Sequence, residues 1–363
     1  MSKKIYAPEE IIPGKKKDST YVFLAGPIQG VHNWQDEDIP EIPEYDVTFI
    51  IPRRKEMDPD FNWQEQVDWE TKALRISDYI LFWIPKEEEK IPGRDYAQTT
   101  KIELMENLVR GKHIILGIQP GVRTRRYLIE KANLYRPNNS SSLYKIHDNL
   151  EDCIEELRTR LKWDSRRTEL YNTFFTSDTH FGQERALTLS LRPFKDVEEM
   201  DWTMIERWNK YVRPNSIVYH LGDFGNYEML KYLNGKVILI RGNHDKEEKE
   251  KLLEYGFSDV INNTITFMYP KTDIEDDFDG AKLILGHEPK TCLEVLKSGD
   301  KEYTYALFGH IHGKQKVKKF GIDVGVDANN FYPMRATKEV RFLINALQKG
   351  YDDEVFVYSN HGT

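Results

Sequence analysis

The stretch Val237-Ile-Leu-Ile-Arg241-Gly242-Asn243-His244-Asp245 decides how this chain is read. An apolar, β-branched run that stops at a glycine and a set of polar side chains predicts a buried strand whose end carries ligands. The same pattern recurs on both sides of it. Upstream, Thr173-Phe-Phe-Thr-Ser177 leads into Asp178-Thr-His180, and Ile217-Val-Tyr-His-Leu221 into Gly222-Asp223. Downstream, Lys282-Leu-Ile-Leu285 leads into Gly286-His287, and Tyr305-Ala-Leu-Phe308 into Gly309-His310-Ile-His312-Gly313. Side chains placed just past the ends of several strands are expected to converge on one edge of a sheet, where α/β proteins place their chemistry.

These blocks supply oxygen donors from Asp178, Asp223 and Asn243 and imidazoles from His180, His287, His310 and His312. One ion rarely uses so many protein ligands, whereas two ions sharing a carboxylate use all of them and leave room for water. Asp223 is the expected bridge, because a carboxylate has two oxygens and Gly222 lets the backbone approach. The two-residue spacing in Asp178-x-His180 and His310-x-His312 suits a strand end, where alternate side chains point the same way.

From about Tyr171 onward the chain resembles the calcineurin-like metallophosphoesterase family, whose five signature blocks are these, in this order. The resemblance implies a β-sandwich flanked by helices. It implies one divalent ion on Asp178, His180 and His312 and a second on Asn243, His287 and His310, with Asp223 between them. His244 is then the proton donor to the leaving oxygen, oriented by Asp245, and Arg241 holds a phosphate oxygen. The ions activate water and neutralise charge on the phosphoryl group. The mixed donor set suits Mn, Fe, Zn or Ni alike.

A chain of 363 residues exceeds the usual size of one core, so two domains are expected. The net charge of −8 disfavours broad attraction to nucleic acid or an anionic membrane. Basic clusters stand at Lys15 to Lys17, Arg53 to Lys55, Arg123 to Arg126 and Lys314 to Lys319; the last follows the His310-x-His312 block and could draw an anionic substrate. Two cysteines, Cys153 and Cys292, form neither a metal pair nor a disulfide framework. No apolar run reaches membrane-spanning length, and a cytoplasmic protein is the expectation.

In the first half, residues 1–19 are polar and Lys-rich and read as a loosely held lead-in. Tyr21-Val-Phe-Leu-Ala25 predicts a strand feeding the turn-rich Gly26-Pro27-Ile-Gln-Gly30. Further strands are expected at Val47-Thr-Phe-Ile-Ile51, Tyr79 to Pro85, His113 to Gly117 and Leu143 to His147. Helices are expected over Trp63 to Leu74, from Thr99-Thr100 with a threonine as cap, from about Arg123 to Asn133, and over Leu150 to Leu161. The alternation predicts a Rossmann-like parallel sheet over 19–161, a charged linker over 162–170, and the second domain over 171–363.

Phe23-Leu-Ala-Gly-Pro-Ile28, the Trp-Glu helix ending at Asp78, the strand to Trp83-Ile-Pro85 and Thr99-Thr-Lys-Ile-Glu-Leu104 resemble the nucleoside 2-deoxyribosyltransferase family. By that resemblance Glu103 is the nucleophile, Asp78 the acid near base or sugar, and Gly26 and Pro27 part of the sugar loop. A carboxylate can trap the oxocarbenium-like sugar formed when an N-glycosidic bond breaks, while an acid protonates the leaving base. From the residues alone, Glu103 could equally be a helix-surface glutamate and Asp78 a cap. Glu70 and Gln66 are weaker candidates. The chain departs from the family in carrying Asp95-Tyr-Ala-Gln-Thr-Thr100 before Glu103, and in lacking a clear match to the Asn and Met that reach a neighbouring subunit's site.

Two accounts follow for the whole chain. One is a bifunctional enzyme of nucleosides, nucleotides or dinucleotides, with phosphoester hydrolysis in one half and N-glycosidic cleavage or deoxyribosyl transfer in the other. The alternative is a metallophosphoesterase steered by a non-catalytic nucleotide-binding module. Relatives of the N-terminal half commonly assemble, which implies a homo-oligomer. Arg192 is read as a substrate contact or a salt bridge, and the acidic run 273–280 as a solvated turn rather than a calcium loop.

Overall fold

Short runs that are apolar on both faces force the first half into a parallel sheet covered on both sides. The computed structural model describes residues 2–14, 17, 19–55, 61–135, 145–165, 170–269, 282–298 and 304–352. It separates the chain into two units, residues 1–13 with 18–166 and residues 14–17 with 167–363.

The N-terminal unit runs β1 (Lys3–Ala7), β2 (Thr20–Ala25), α1 (Trp34–Glu37), β3 (Val47–Arg54), α2 (Trp63–Ile76), β4 (Tyr79–Ile84), α3 (Gln98–Val109), β5 (Ile114–Ile118), α4 (Arg125–Leu134), β6 (Ile146–His147) and α5 (Leu150–Ser165). Its sheet has the order β1-β3-β2-β4-β5-β6, parallel throughout. Every residue of β4 is buried. The chain order reverses between β2 and β4, so the segments after those two strands part company at the carboxyl edge, the position where open α/β sheets leave a crevice.

Four expectations need correction. Residues 3–7 are an edge strand rather than a lead-in, because Ile5 and Ala7 alternate into the core while lysines occupy the exposed rim. No threonine caps α3: its preceding residue is Ala97, in a left-handed conformation and without a side-chain cap. Helix α5 continues through Lys162 to Ser165, into the segment read as linker. Of the strand expected over Leu143 to His147, β6 covers Ile146 and His147, and residues 143 and 144 lie outside the described residues, as do Lys15, Lys16 and 270–281.

The C-terminal unit contains β7 (Thr173–Thr176), α6 (Glu184–Leu189), α7 (Val197–Tyr211), β8 (Ile217–His220), β9 (Lys236–Ile240), α8 (Lys249–Tyr255), β10 (Asp259–Ile261), β11 (Ile265–Met268), β12 (Lys282–Leu285), α9 (Pro289–Ser298), β13 (Thr304–Phe308), β14 (Val317–Lys318), β15 (Gly321–Asp323), β16 (Met334–Arg335) and α10 (Arg341–Gln348). Two five-stranded sheets form, β10-β9-β8-β7-β16 and β11-β12-β13-β15-β14.

Alternation along the strands explains the layering. Phe175, Leu221, Leu283, Leu285, Leu307 and Ile322 fill the core shared by the two sheets. Phe174, Val218, Val237 and Leu239 face the other way, onto Met204, Ile205 and Trp208 of α7. On the outer face of the second sheet, Ile284, Ala306 and Phe308 meet Cys292 of α9. The unit is therefore a β-sandwich with helices on both outer faces. Among the described residues no helix is long and apolar enough to cross a membrane.

Candidate metal centre and N-terminal crevice

All five blocks of the second half follow strands, but those strands belong to two sheets. β7, β8 and β9 carry Asp178, His180, Asp223 and Asn243, while β12 and β13 carry His287, His310 and His312. The single sheet edge expected from the sequence is thus a pair of edges. Strand alternation does not aim the ligands either. Asp178 (φ 58°), His180 (φ 48°), Asp223 (φ 58°), His310 (φ 71°) and His312 (φ 49°) all lie in the left-handed region, where the backbone has already left the strand. Non-glycine residues there are uncommon, and such strain clusters at functional sites.

Ligating atoms of Asp178, His180 and His312 lie within 4.8 Å of one another, as do those of Asp178, Asp223 and His287. His287 Nε2 stands 2.9 Å from Asn243 Oδ1 and 3.2 Å from His310 Nδ1, which is itself 3.1 Å from that amide oxygen. Asp223 Oδ2 is 3.4 Å from His287 Nε2 and 3.7 Å from His180 Nε2. Asp223 thus lies between the two groups of ligands.

The outer contacts select which nitrogens face inward. His180 Nδ1 is 2.8 Å from Gln183 Oε1, and His287 Nδ1 donates to the Leu221 carbonyl at 2.8 Å. His180 Nε2 is then buried with no hydrogen-bond partner, a costly arrangement unless a ligand fills it. This orphaned nitrogen and the convergent oxygen and imidazole donors fit divalent cations.

Charge follows the same geometry. Burial alone would raise the Asp223 carboxyl, but the hydrogen bond and charge of His287 and the His244 amide hold it well below the usual carboxylate range. Burial works against charge on His287, yet its bond to Asp223 and the charges of Asp178 and Asp223 push it up to about 9. Cation binding here competes with that proton. Asp323, buried beneath Asp178, is pushed up to about 7 by burial and then by the Asp178 charge.

His244 is half-exposed, and its Nε2 lies 4.0 Å from Asp223 Oδ2, so it faces the centre from the solvent side. Asp245 does not orient that ring. Its carboxylate accepts from the amides of Asp223 (2.7 Å), Gly242 (2.9 Å) and Phe224 (3.1 Å) and from the Tyr227 hydroxyl (3.2 Å), which clamps the two ligand loops together. Arg241 donates through Nη1 to the Asp245 carbonyl at 3.0 Å, leaving a buried Nε without a partner. Arg192 is a salt bridge, fully buried, with Nε 2.8 Å from Asp327 Oδ1.

In the N-terminal unit the candidates separate. Gly26 and Pro27 follow β2, and Glu103 lies on α3 beyond the carboxyl end of β4. Asp78 precedes β4, at the opposite edge, where it is buried and accepts from the Tyr21 amide at 2.8 Å. It joins two strand starts and does not share the crevice with Glu103. The acid whose charge acts most on Glu103 is Glu70. Burial, then Glu70 and Glu106, push Glu103 up to about 8, and burial also raises Glu70. Gln66 donates to Glu70 at 2.8 Å and to the Pro52 carbonyl at 2.9 Å, while accepting from Arg54 at 3.0 Å. Gly26 is required by packing: a Cβ there would sit 2.4 Å from the Trp83 carbonyl and 2.7 Å from the Trp34 ring. Glu70 was detectable only through its position on the helix leading to Asp78, since a glutamate among many carries no signal by type.

Fold and site together define a metal-dependent phosphoesterase sandwich in one unit and a Rossmann-like sheet in the other, and comparison with known proteins agrees. Residues 172–324 match the calcineurin-like phosphoesterase superfamily domain, and residues 19–120 match the nucleoside 2-deoxyribosyltransferase-like family. The chain therefore carries a calcineurin-like phosphoesterase superfamily domain, preceded in sequence by a nucleoside 2-deoxyribosyltransferase-like domain. It is 33% identical over 187 residues to the uncharacterized protein MJ1445 of Methanocaldococcus jannaschii, covering 49% of this chain and 92% of that one. It is 36% identical over 188 residues to the Gene 66 protein of Mycobacterium phage L5, covering 43% and 87%. A crystal structure of the protein of unknown function AQ665 from Aquifex aeolicus overlaps 45% of this chain and 94% of its own, with a TM-score of 0.36 and 24% identity.

Proposed function

We propose that this chain is a bifunctional nucleotide-processing enzyme. Its C-terminal unit hydrolyses a phosphoester at a centre where Asp178, His180 and His312 would hold one divalent ion and Asn243, His287 and His310 a second, with Asp223 placed between the two sets. The observation that carries this reading is the orphaned His180 Nε2 beside a cluster in which His287 Nε2, His310 Nδ1 and Asn243 Oδ1 meet within 3.2 Å. Bound there, the ions supply an activated water and charge neutralisation for phosphoryl transfer. His244, exposed and facing Asp223, donates the proton to the leaving oxygen. Arg241 holds a phosphate oxygen, and Asp245 keeps the loops bearing Asp223 and Asn243 in register.

In the N-terminal unit, Glu103 attacks the anomeric carbon of a nucleoside or nucleotide, Glu70 is the acid at the leaving base, and the Gly26-Pro27 turn borders the sugar. Support comes from the family match and from the buried position of Glu103 on α3, within reach of the Glu70 charge. Domains running from β1 through α5, and from about 171 onward, follow the two units. A second reading, a sensing module without turnover, is favoured by one observation: a carboxyl pushed up to about 8 is mostly protonated at neutral pH and attacks poorly.

The test is a product assay on Mn-loaded protein with nucleosides, mononucleotides and dinucleotides, comparing wild type, Asp223→Ala and Glu103→Ala. The bifunctional reading expects phosphate-ester cleavage to vanish with the first change and free base with the second. Base release that persists in Glu103→Ala removes Glu103 as the nucleophile, and base release that never occurs in wild type leaves only the sensing module.

A further inference from the structure

His312 is gripped more firmly from outside the metal centre than its neighbours are. Its Nδ1 lies 2.7 Å from Asp327 Oδ2 and 3.0 Å from Ser190 Oγ. A carboxylate can only accept, so Nδ1 carries the proton and the other ring nitrogen keeps its lone pair for a cation shared with Asp178 and His180. Asp327 is in turn immobilised. Arg192 grips both its oxygens, Nε to Oδ1 at 2.8 Å and Nη2 to Oδ2 at 2.9 Å. The rest of that buried guanidinium donates to the carbonyls of Thr179 (2.8 Å) and Asp178 (2.6 Å). One guanidinium therefore ties the loop carrying Asp178 and His180 to the carboxylate that orients His312. On the other side no such carboxylate pair is present among the described residues: His287 Nδ1 donates to the Leu221 carbonyl at 2.8 Å, and the exposed His310 meets Asn243 and His287 through its Nδ1.

We propose that Asp327, fixed by Arg192, is a positioning residue: it sets the tautomer and direction of His312 and so determines the affinity of the Asp178, His180 and His312 cation site. The proposal rests on the two-cation reading and adds two residues that none of the five sequence blocks contains. The negative Asp327 also strengthens His312 as a donor, which Asn at 327 would not do.

The experiment is calorimetric titration of the chelator-stripped full-length chain with Mn²⁺, for wild type, Asp327→Asn, His312→Ala, the double variant and Arg192→Lys. His312→Ala identifies which binding step belongs to this site. Asp327→Asn weakens that step by roughly 10- to 100-fold and leaves the other unchanged. In the His312→Ala background it adds nothing, because its effect runs through the imidazole. Arg192→Lys, which loses the two-pronged grip, weakens the same step by less and carries the prediction if Asp327→Asn does not fold. Equal weakening of both steps, no weakening, or effects that add to those of His312→Ala would show Asp327 to be structural and overturn the proposal. A single step in wild type contradicts the two-cation reading instead; Asp327 is then judged on that step by the same cycle with His312→Ala.

Discussion

Glu103 is held where burial and a neighbouring carboxyl both oppose its charge, which moves its pKa from 4.5 to about 8. The raised folded-state value means that the folded protein keeps this proton while the unfolded chain releases it. The stability associated with it is complete below about pH 4.5 and is lost as pH rises through about 8. Glu103→Gln removes the penalty, so it should be more stable than wild type by a few kcal/mol at pH 9, since each tenfold change in proton affinity is worth ~1.4 kcal/mol, with the gap closing near pH 4. Urea unfolding of both proteins across that range checks the sign, and a gap independent of pH contradicts it. If Glu103 is the nucleophile, base release by wild type climbs between pH 6 and 8. The motif Thr99-Thr-Lys-Ile-Glu-Leu104 made Glu103 visible in the sequence, but nothing there separated Asp78 from Glu70. Asp78 stands directly before an apolar strand, which resembles a ligand position until the strand direction places it at the wrong edge.

At the scale of elements, five strands each end in a loop that drops a ligand into the space the loops enclose, and three of those loops, after β7, β8 and β13, turn into left-handed backbone to do so. The loops approach so closely that side chains are excluded. A Cβ on Gly242 would lie 2.2 Å from Asp223 Oδ1 and 2.6 Å from the Asp223 amide nitrogen. Gly242→Ala must therefore displace the Asp223 carboxylate. We expect about 1–3 kcal/mol of destabilisation from overpacking and loss of at least ~100-fold in phosphoesterase kcat/KM, with base release unchanged. Retained kcat/KM would contradict the placement of Asp223 as the bridge. The strands and their ligands were legible because long apolar runs and metal-type residues are both unusual in sequence. The left-handed turns were not, since Asp and His carry no mark of φ, and neither were Gln183, Ser190 and Asp327, which are common surface types made specific only by the fold.

For the whole molecule, each unit has its own apolar core: one around Leu24, Phe49, Leu81 and Trp83, the other between and outside the two sheets of the sandwich. Scanning calorimetry should resolve two transitions, of which only one rises with Mn²⁺, by about 2.7 kcal/mol of stabilisation at a hundredfold excess over Kd. A chelator should reverse that rise, and a shift of both transitions would contradict independent cores. The two-domain plan was readable from length and from the change of pattern near residue 162, but the first strand was not, because two lysines and a following proline mask Ile5 and Ala7. Everything said of the C-terminal unit's chemistry turns on Asp223 joining two cations. Anomalous scattering from Mn-soaked crystals of the full chain tests it most directly. Two peaks are expected about 3.5–4 Å apart on either side of Asp223, one among Asp178, His180 and His312 and the other among Asn243, His287 and His310. A single peak, or two peaks that do not share Asp223, would contradict it.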